Sequence, residues 1–274
     1  GKEQEQTNHE LLLNYGIVYA EESLLYLPNQ IACDENGAWI APATAEQLLY
    51  YFDRDSRNYW KIEWNPGEKD FISGLSFSDN SLYVCSADDS EYCVKKQLEN
   101  QEWEVIAKFD KNAINESYQF CADADNHFYF MEANQVVIYD ANDNSFTAQT
   151  WKHGMPLFLT QGENGVIQCM VSDNEGISFY EINKEHKERV WKDSLYCKKA
   201  MVLDTSDLTK LVFIGDDNLY IFERESGNLI AGADFLKSGI SSNNLIAGVF
   251  GEEEGDMISL YGKNDAGNLI TYQL

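Results

Sequence analysis

YQFCADADNHFYFMEANQVVIYDANDNSFTAQTW, residues 118–151, reads as four short strands and sets the architecture of the whole chain. Gln119 to Ala122 and Phe128 to Met131 are apolar runs on either side of the polar cluster Asp123-Ala124-Asp125-Asn126-His127, the composition of a hairpin turn. Val136 to Tyr139 follows, then Asp140-Ala141-Asn142-Asp143-Asn144 as a second turn, then Phe146 to Trp151. No run reaches helical length, and Asp and Asn punctuate too densely for a helix. Such a four-stranded antiparallel sheet is too small to bury both faces alone.

Five further copies of the unit run along the chain. Its first turn recurs as Asp34-Glu35-Asn36-Gly37, Ser78-Asp79-Asn80-Ser81, Gly162-Glu163-Asn164-Gly165, Thr205-Ser206-Asp207-Leu208 and Glu252-Glu253-Glu254-Gly255. An aromatic marks the end of the fourth strand at Trp64, Phe109, Trp151, Trp191 and Phe235, at spacings of 45, 42, 40 and 44 residues. That period is the one expected of propeller blades. The competing reading of the same turn signals is an irregular sandwich.

Six such units use almost all of the 274 residues, and no Pro-, Gly- or Ser-rich linker interrupts them. The expectation is therefore a polar tether and lead-in over residues 1–14, followed by a single all-β domain, a β-propeller, over 15–274. The last unit has three strands, Leu245 to Phe250, Met257 to Tyr261 and Asn268 to Leu274, whereas a spare apolar segment precedes the first. The economical arrangement pairs about Tyr15 to Ala20 with Asn268 to Leu274, which closes six four-stranded blades and removes an open edge. A seventh blade would have to begin in Ser23 to Leu27.

Lys and Arg number 20 against 46 Asp and Glu, a formal charge of −26. Such a surface repels phosphate backbones and anionic membranes, which excludes DNA and RNA as partners. It also keeps strand edges solvated and apart. The six cysteines are too few for a disulfide framework. Cys85 and Cys93 flank one hairpin loop and are the one pair whose proximity the sequence suggests. No stretch approaches the length of a membrane span. The chain opens on Gly1 and a polar run through Asn8, which reads as a trimmed start and predicts a short tether beside a folded domain.

The sequence carries no HExxH, GxSxG, GxGxxG or P-loop pattern. Asp140, Asn142 and Asn144 imitate the opening of a calcium loop, but the twelfth position is Trp151 where a bidentate Glu is needed. At most a weak calcium site is expected, and no other cofactor. In a propeller, the loops between one blade's last strand and the next blade's first converge with the second-to-third-strand loops at one mouth of the channel. Those loops carry Trp64, Asp88, Asp89, His153, Tyr196, Asp216, Asp217 and Asn243 as ligand-binding candidates. Aromatic and carboxylate groups together suit a peptide, carbohydrate or protein partner, or a cationic ligand. His153 is the one histidine of the four well placed for a site.

The third-strand phrases Val136-Val137-Ile138-Tyr139-Asp140 and Leu219-Tyr220-Ile221-Phe222-Glu223 resemble the blades of bacterial quinoprotein-like and surface-layer propellers. The overall pattern resembles propeller domains of secreted lipoproteins of Gram-positive gut bacteria, some attached to extracellular solute-binding proteins. The resemblance implies an extracytoplasmic, surface-tethered, non-enzymatic binding or interaction domain, and no catalytic residue follows from it. The alternative is a metal-dependent propeller hydrolase or lactonase with its site in the channel. Against it stand the apolar or sulfur-bearing inner strands, with Ile31, Cys33, Leu75, Phe120, Cys121 and Phe158 among them.

Overall fold

The structure is a computed structural model and describes residues 9–10, 17–24, 26–44, 48–63, 71–251 and 257–274. In chain order, β1 (His9–Glu10) and β2 (Val18–Glu22) come first. Four antiparallel meanders follow, each a four-stranded blade in simple neighbour order. They are β3 (Pro28–Cys33), β4 (Gly37–Pro42), β5 (Leu48–Asp53) and β6 (Tyr59–Glu63); then β7 (Phe71–Ser78), β8 (Ser81–Ala87), β9 (Glu91–Gln97) and β10 (Trp103–Asp110). The third is β11 (Gln119–Ala122), β12 (His127–Met131), β13 (Gln135–Asp140) and β14 (Ser145–Thr150), and the fourth β15 (Met155–Gln161), β16 (Ile167–Asp173), β17 (Gly176–Ile182) and β18 (Lys187–Asp193).

The remaining strands form one curled nine-stranded sheet. β19 (Ala200–Thr205), β20 (Lys210–Gly215), β21 (Asn218–Glu223) and β22 (Leu229–Asp234) make one meander; β23 (Leu245–Gly251), β24 (Met257–Lys263) and β25 (Leu269–Gln273) begin another. The two are joined by a short parallel seam, Asp204 opposite Val249 and Thr205 opposite Phe250. β2 pairs antiparallel with β25, from Val18 opposite Gln273 to Glu22 opposite Leu269. The N-terminal segment thus lies beside the last strand, as expected, but the pairing runs two residues further along, to Glu22. Tyr19 packs against Tyr272 with the rings tilted and their centroids 5.2 Å apart, and Glu21 Oε1 accepts the side-chain amides of Asn264 and Asn268. These contacts set that register.

The sequence predicts a polar tether over residues 1–14, His9 included. Instead His9–Glu10 pair in parallel with Ala231 and Gly232 on the outer edge of β22. Ser23, Leu24, Tyr26 and Leu27 form a connection rather than a strand, so the described part of that segment does not start a seventh blade. The turn expected at Glu252 to Gly255 lies outside the described residues.

The strand β13 shows why the unit folds as it does. Its residues 136–140 are all buried, and successive side chains point to opposite faces. Val136 and Ile138 pack with Leu159, Cys169 and Val171 of the following blade, whereas Val137 and Tyr139 pack with Tyr83, Phe109 and Phe120 on the other side. A strand buried on both faces needs a continuous apolar run, and burying each such side chain stabilises by about 1.5–3 kcal/mol. Equivalent apolar clusters join every neighbour around the ring, the last returning from Tyr261 and Leu269 to Ile31, Ile40 and Phe52.

The turns follow from Asp and Asn chemistry. Asp34 Oδ1 accepts the backbone N–H of Asn36 and Gly37, both at 2.8 Å, and Asp123 Oδ1 accepts those of Asp125 and His127 at 2.8 and 3.0 Å. Asn126 and Asn144 adopt the left-handed conformation, φ 59° and 56°, that Asn tolerates better than most residues. Cys85 sits opposite Val94 and Cys93 opposite Ser86. Side-chain alternation therefore places the two thiols on opposite faces of their sheet, which rules out the bridge that their spacing suggests. All six cysteines are buried, and none is in a disulfide.

Candidate functional site

The inner strands β3, β7, β11, β15, β19 and β23 surround an open central channel of about 1200 Å³. Blade geometry puts the connections into these strands at one mouth, together with the second-to-third-strand hairpins. At that mouth the structure places a recurrent feature. Leu27 and Tyr118 immediately precede β3 and β11, Phe71 and Met155 open β7 and β15, and Tyr196 lies in the connection leading to β19. All five are exposed, by 42% to 59%. Tyr118 and Met155 reach the channel itself. Isolated exposed apolar side chains are ordinary; these five stand at, or up to four residues before, the start of an inner strand.

The eight candidates from sequence divide into groups. Tyr196, Asp216, Asp217 and Asn243 belong to neighbouring connections that are tied together. Asp216 Oδ1 accepts the backbone N–H of Lys198 and Lys199, both at 3.2 Å, and Asp217 Oδ1 accepts the Ser242 hydroxyl at 3.1 Å. Asp216 lines the channel. Asp88 is a turn cap: its Oδ1 accepts the backbone N–H of Ser90 at 2.7 Å and of Glu91 at 2.8 Å, and those bonds lower its pKa. Asp89 and His153 are exposed and stand in other connections, away from the tied group. Trp64 lies outside the described residues. Asp70 and the Lys237 side chain, on the same loops, do so too.

Several channel residues escaped the sequence reading. Glu132 is buried in the hairpin after β12, where Oε2 accepts the Asn115 backbone N–H at 2.8 Å. The Gln119 side chain spans two inner strands, donating to the Leu159 carbonyl at 2.8 Å and accepting the Leu159 N–H at 2.7 Å. Arg224 is buried and lines the channel, with Nη1 donating to Gln168 Oε1 at 2.7 Å and Nε to the Lys210 carbonyl at 3.2 Å. Burial lowers its pKa to about 10. Asp204 interrupts an otherwise apolar run, Ala200-Met201-Val202-Leu203, and that interruption was the available signal.

One constellation looks catalytic in composition and is not so in geometry. His127 Nδ1 lies 2.7 Å from Asp123 Oδ2, and its Nε2 lies 3.3 Å from Asp140 Oδ2. Asp140 in turn meets Lys184 Nζ at 2.6 Å, across to the next blade. Both imidazole nitrogens face carboxylates, which leaves none to take a proton from a nucleophile. The network staples two blades. It also engages the incomplete calcium loop, because Asp140 Oδ1 accepts the Asn142 N–H at 2.8 Å. Among the described residues no three His, Cys, Asp or Glu side chains cluster as a metal site would require, and no helix is long and apolar enough to cross a membrane.

No protein-family model matches the sequence, and no curated protein matches it. Solved structures do match in fold. The major Malassezia sympodialis allergen Mala s 1 aligns with TM-score 0.62 and 10% identity, over 93% of this chain and 95% of that one. A gluconolactonase candidate from structural genomics aligns with TM-score 0.58 and 13% identity, over 96% and 93%. The Myceliophteria thermophila Cps50 (Swd1) β-propeller domain aligns with TM-score 0.54 and 12% identity, over 90% and 82%. At such identities the likeness shows a β-propeller and nothing about activity.

Proposed function

We propose that this protein is a non-enzymatic, six-bladed propeller that binds a protein or peptide partner at the channel mouth. The observation that carries the reading is the set Leu27, Phe71, Tyr118, Met155 and Tyr196, each exposed at, or up to four residues before, the start of an inner strand. The interior of a stable interface is apolar and aromatic with a polar rim, and here Asp216, Asp217, Lys198 and Lys199 supply the rim. The blade count treats the nine-stranded sheet as two blades, with β2 as the outer strand of the last. In support, the seam between the halves has two register pairs, against six between β20 and β21.

An extracytoplasmic, surface-tethered location belongs to the same proposal; it rests on the resemblance in blade phrasing, and fractionation of cells producing the protein tests it. The binding reading is tested on peptide and glycan arrays with the protein and with a triple variant, Tyr118→Ser, Met155→Ser and Tyr196→Ser. These side chains are exposed, so the fold should survive. A peptide hit that the variant loses supports the proposal. Hits confined to glycans, or peptide hits that the variant keeps, overturn it.

A further inference from the structure

The contact that completes the ring, first blade against last, holds a second feature, independent of the mouth. A small cavity of about 10 Å³ lies between the β5–β6 hairpin and strands β24 and β25. That is room for one water or one monatomic ion. Arg54, Arg57, Ser259, Tyr261, Thr271 and Gln273 form its polar wall, and among the described residues no carboxylate side chain lines it. The wall is therefore positive and rich in donors.

Two atoms of that wall lack a partner. Arg54 Nε and Thr271 Oγ1 are both buried, and among the described residues neither makes a hydrogen bond. Thr271 is 5% exposed as a whole, and Ser259 and Tyr261 beside it are 4% and 1% exposed. A buried donor without an acceptor is costly, the more so on a charged group, and each one in a folded protein calls for an explanation. Among the described residues four buried side-chain atoms are in that state, and these two line one cavity.

The neighbouring carboxylates do not supply the acceptor. Arg54 Nε lies 3.7 Å from Asp55 Oδ1, beyond hydrogen-bond range, and the Asp55 side chain is 87% exposed. Asp53 Oδ1 serves its own hairpin by accepting the backbone N–H of Asp55 and Ser56 at 3.1 and 2.8 Å. Asp34, on the β3–β4 turn, accepts two backbone N–H groups, the Trp39 indole and the Tyr51 hydroxyl.

We infer that this cavity binds a monatomic anion of chloride size, held by Arg54 Nε and the Thr271 hydroxyl, and that the ion ties the first blade to the last. An ion that only accepts suits a guanidinium that only donates and a hydroxyl that can turn its hydrogen inward. The ion also offsets the guanidinium charge, which a water does not. Sulfate and phosphate are too large for the volume. The overall charge of −26 does not forbid an anion here, because at physiological salt charges more than about 8 Å away are largely screened. An ion that binds only the assembled contact stabilises the closed ring by mass action.

The test uses the full chain in sodium chloride, sodium bromide and sodium methanesulfonate at one ionic strength, the last anion being too large for the cavity. Chloride should raise Tm over methanesulfonate by about 2–4 °C once it stands about tenfold above its dissociation constant. Thr271→Val keeps the shape and removes the hydroxyl, and Arg54→Met removes the charge; both should lose the rise, whereas Thr271→Ser should keep it. A threonine with a packing role alone would not tell the two salts apart. Crystals soaked in bromide should show an anomalous peak in the cavity beside Arg54 Nε, a readout that does not depend on any variant folding. The triple mouth variant should keep the chloride response, so the two proposals stand or fall separately. No bromide peak in the cavity, equal Tm of the wild type in chloride and methanesulfonate, or a rise that Thr271→Val retains overturns the inference.

Discussion

Replacing Asp140 by asparagine isolates the electrostatic staple between two blades. The side chain is 6% exposed, its Oδ2 lies 2.6 Å from Lys184 Nζ and 3.3 Å from His127 Nε2, and its Oδ1 accepts the Asn142 N–H. Asparagine keeps an oxygen for Asn142 and loses the charge. The Lys184 hydrogen bond is the largest of the influences that pull the Asp140 pKa from 3.8 to about 2. A shift of roughly two units corresponds to about 2.5 kcal/mol. Lys184 stands partly in water, 28% exposed, so screening reduces this to about 1 kcal/mol. In a chain of this size that is about 2–4 °C in Tm. The pH dependence follows from the sign. A carboxyl whose folded-state pKa is lowered stabilises above its unfolded value, and the contribution fades as pH falls from about 4 to about 2. Melts of wild type and variant, followed by circular dichroism, should differ at pH 7 and converge near pH 2. An unchanged Tm at pH 7, or the same difference at pH 7 and pH 2, would refute the reasoning.

Deleting residues 1–22 removes both N-terminal pairings, β1 on β22 and β2 on β25, and should lower Tm sharply, with new self-association in sedimentation as the β25 edge is laid open. Gly37→Ala should be far more damaging than an ordinary surface change: the added Cβ would lie 1.9 Å from the Phe52 carbonyl oxygen. Chemical denaturation should then show a loss of several kcal/mol or no folded protein, whereas Gly239→Ala, with nothing within 4 Å, should cost only the roughly 1–2 kcal/mol of placing a Cβ at its left-handed φ of +76°.

The repeat was legible because each unit writes the same physics into its own residues. Asp34 and Asp123 close their turns with donors two to four positions along the chain, and β13 announces two buried faces by a run of apolar residues. What links one unit to the next is written nowhere locally. Lys184 meets Asp140 across 44 positions and Gln119 meets Leu159 across 40, close to one repeat in each case. Such pairs exist only once blades are set side by side. The candidate site shows the same division. Asp216, Asp217 and Tyr196 lie where hairpin logic puts them, near the mouth, while Asp88 serves its own turn. Asp204 was passed over because an inner strand was read for its apolar majority.

The parallel seam of Asp204 and Thr205 with Val249 and Phe250 bears on how the molecule comes apart. Terminal elements usually fray first. Here the two ends of the chain belong to one hydrogen-bonded sheet, gripped by His9–Glu10 at one margin and Val18–Glu22 at the other. Amide exchange in β19 to β25 should therefore report a single cooperative opening, with the final third of the polypeptide leaving as one piece.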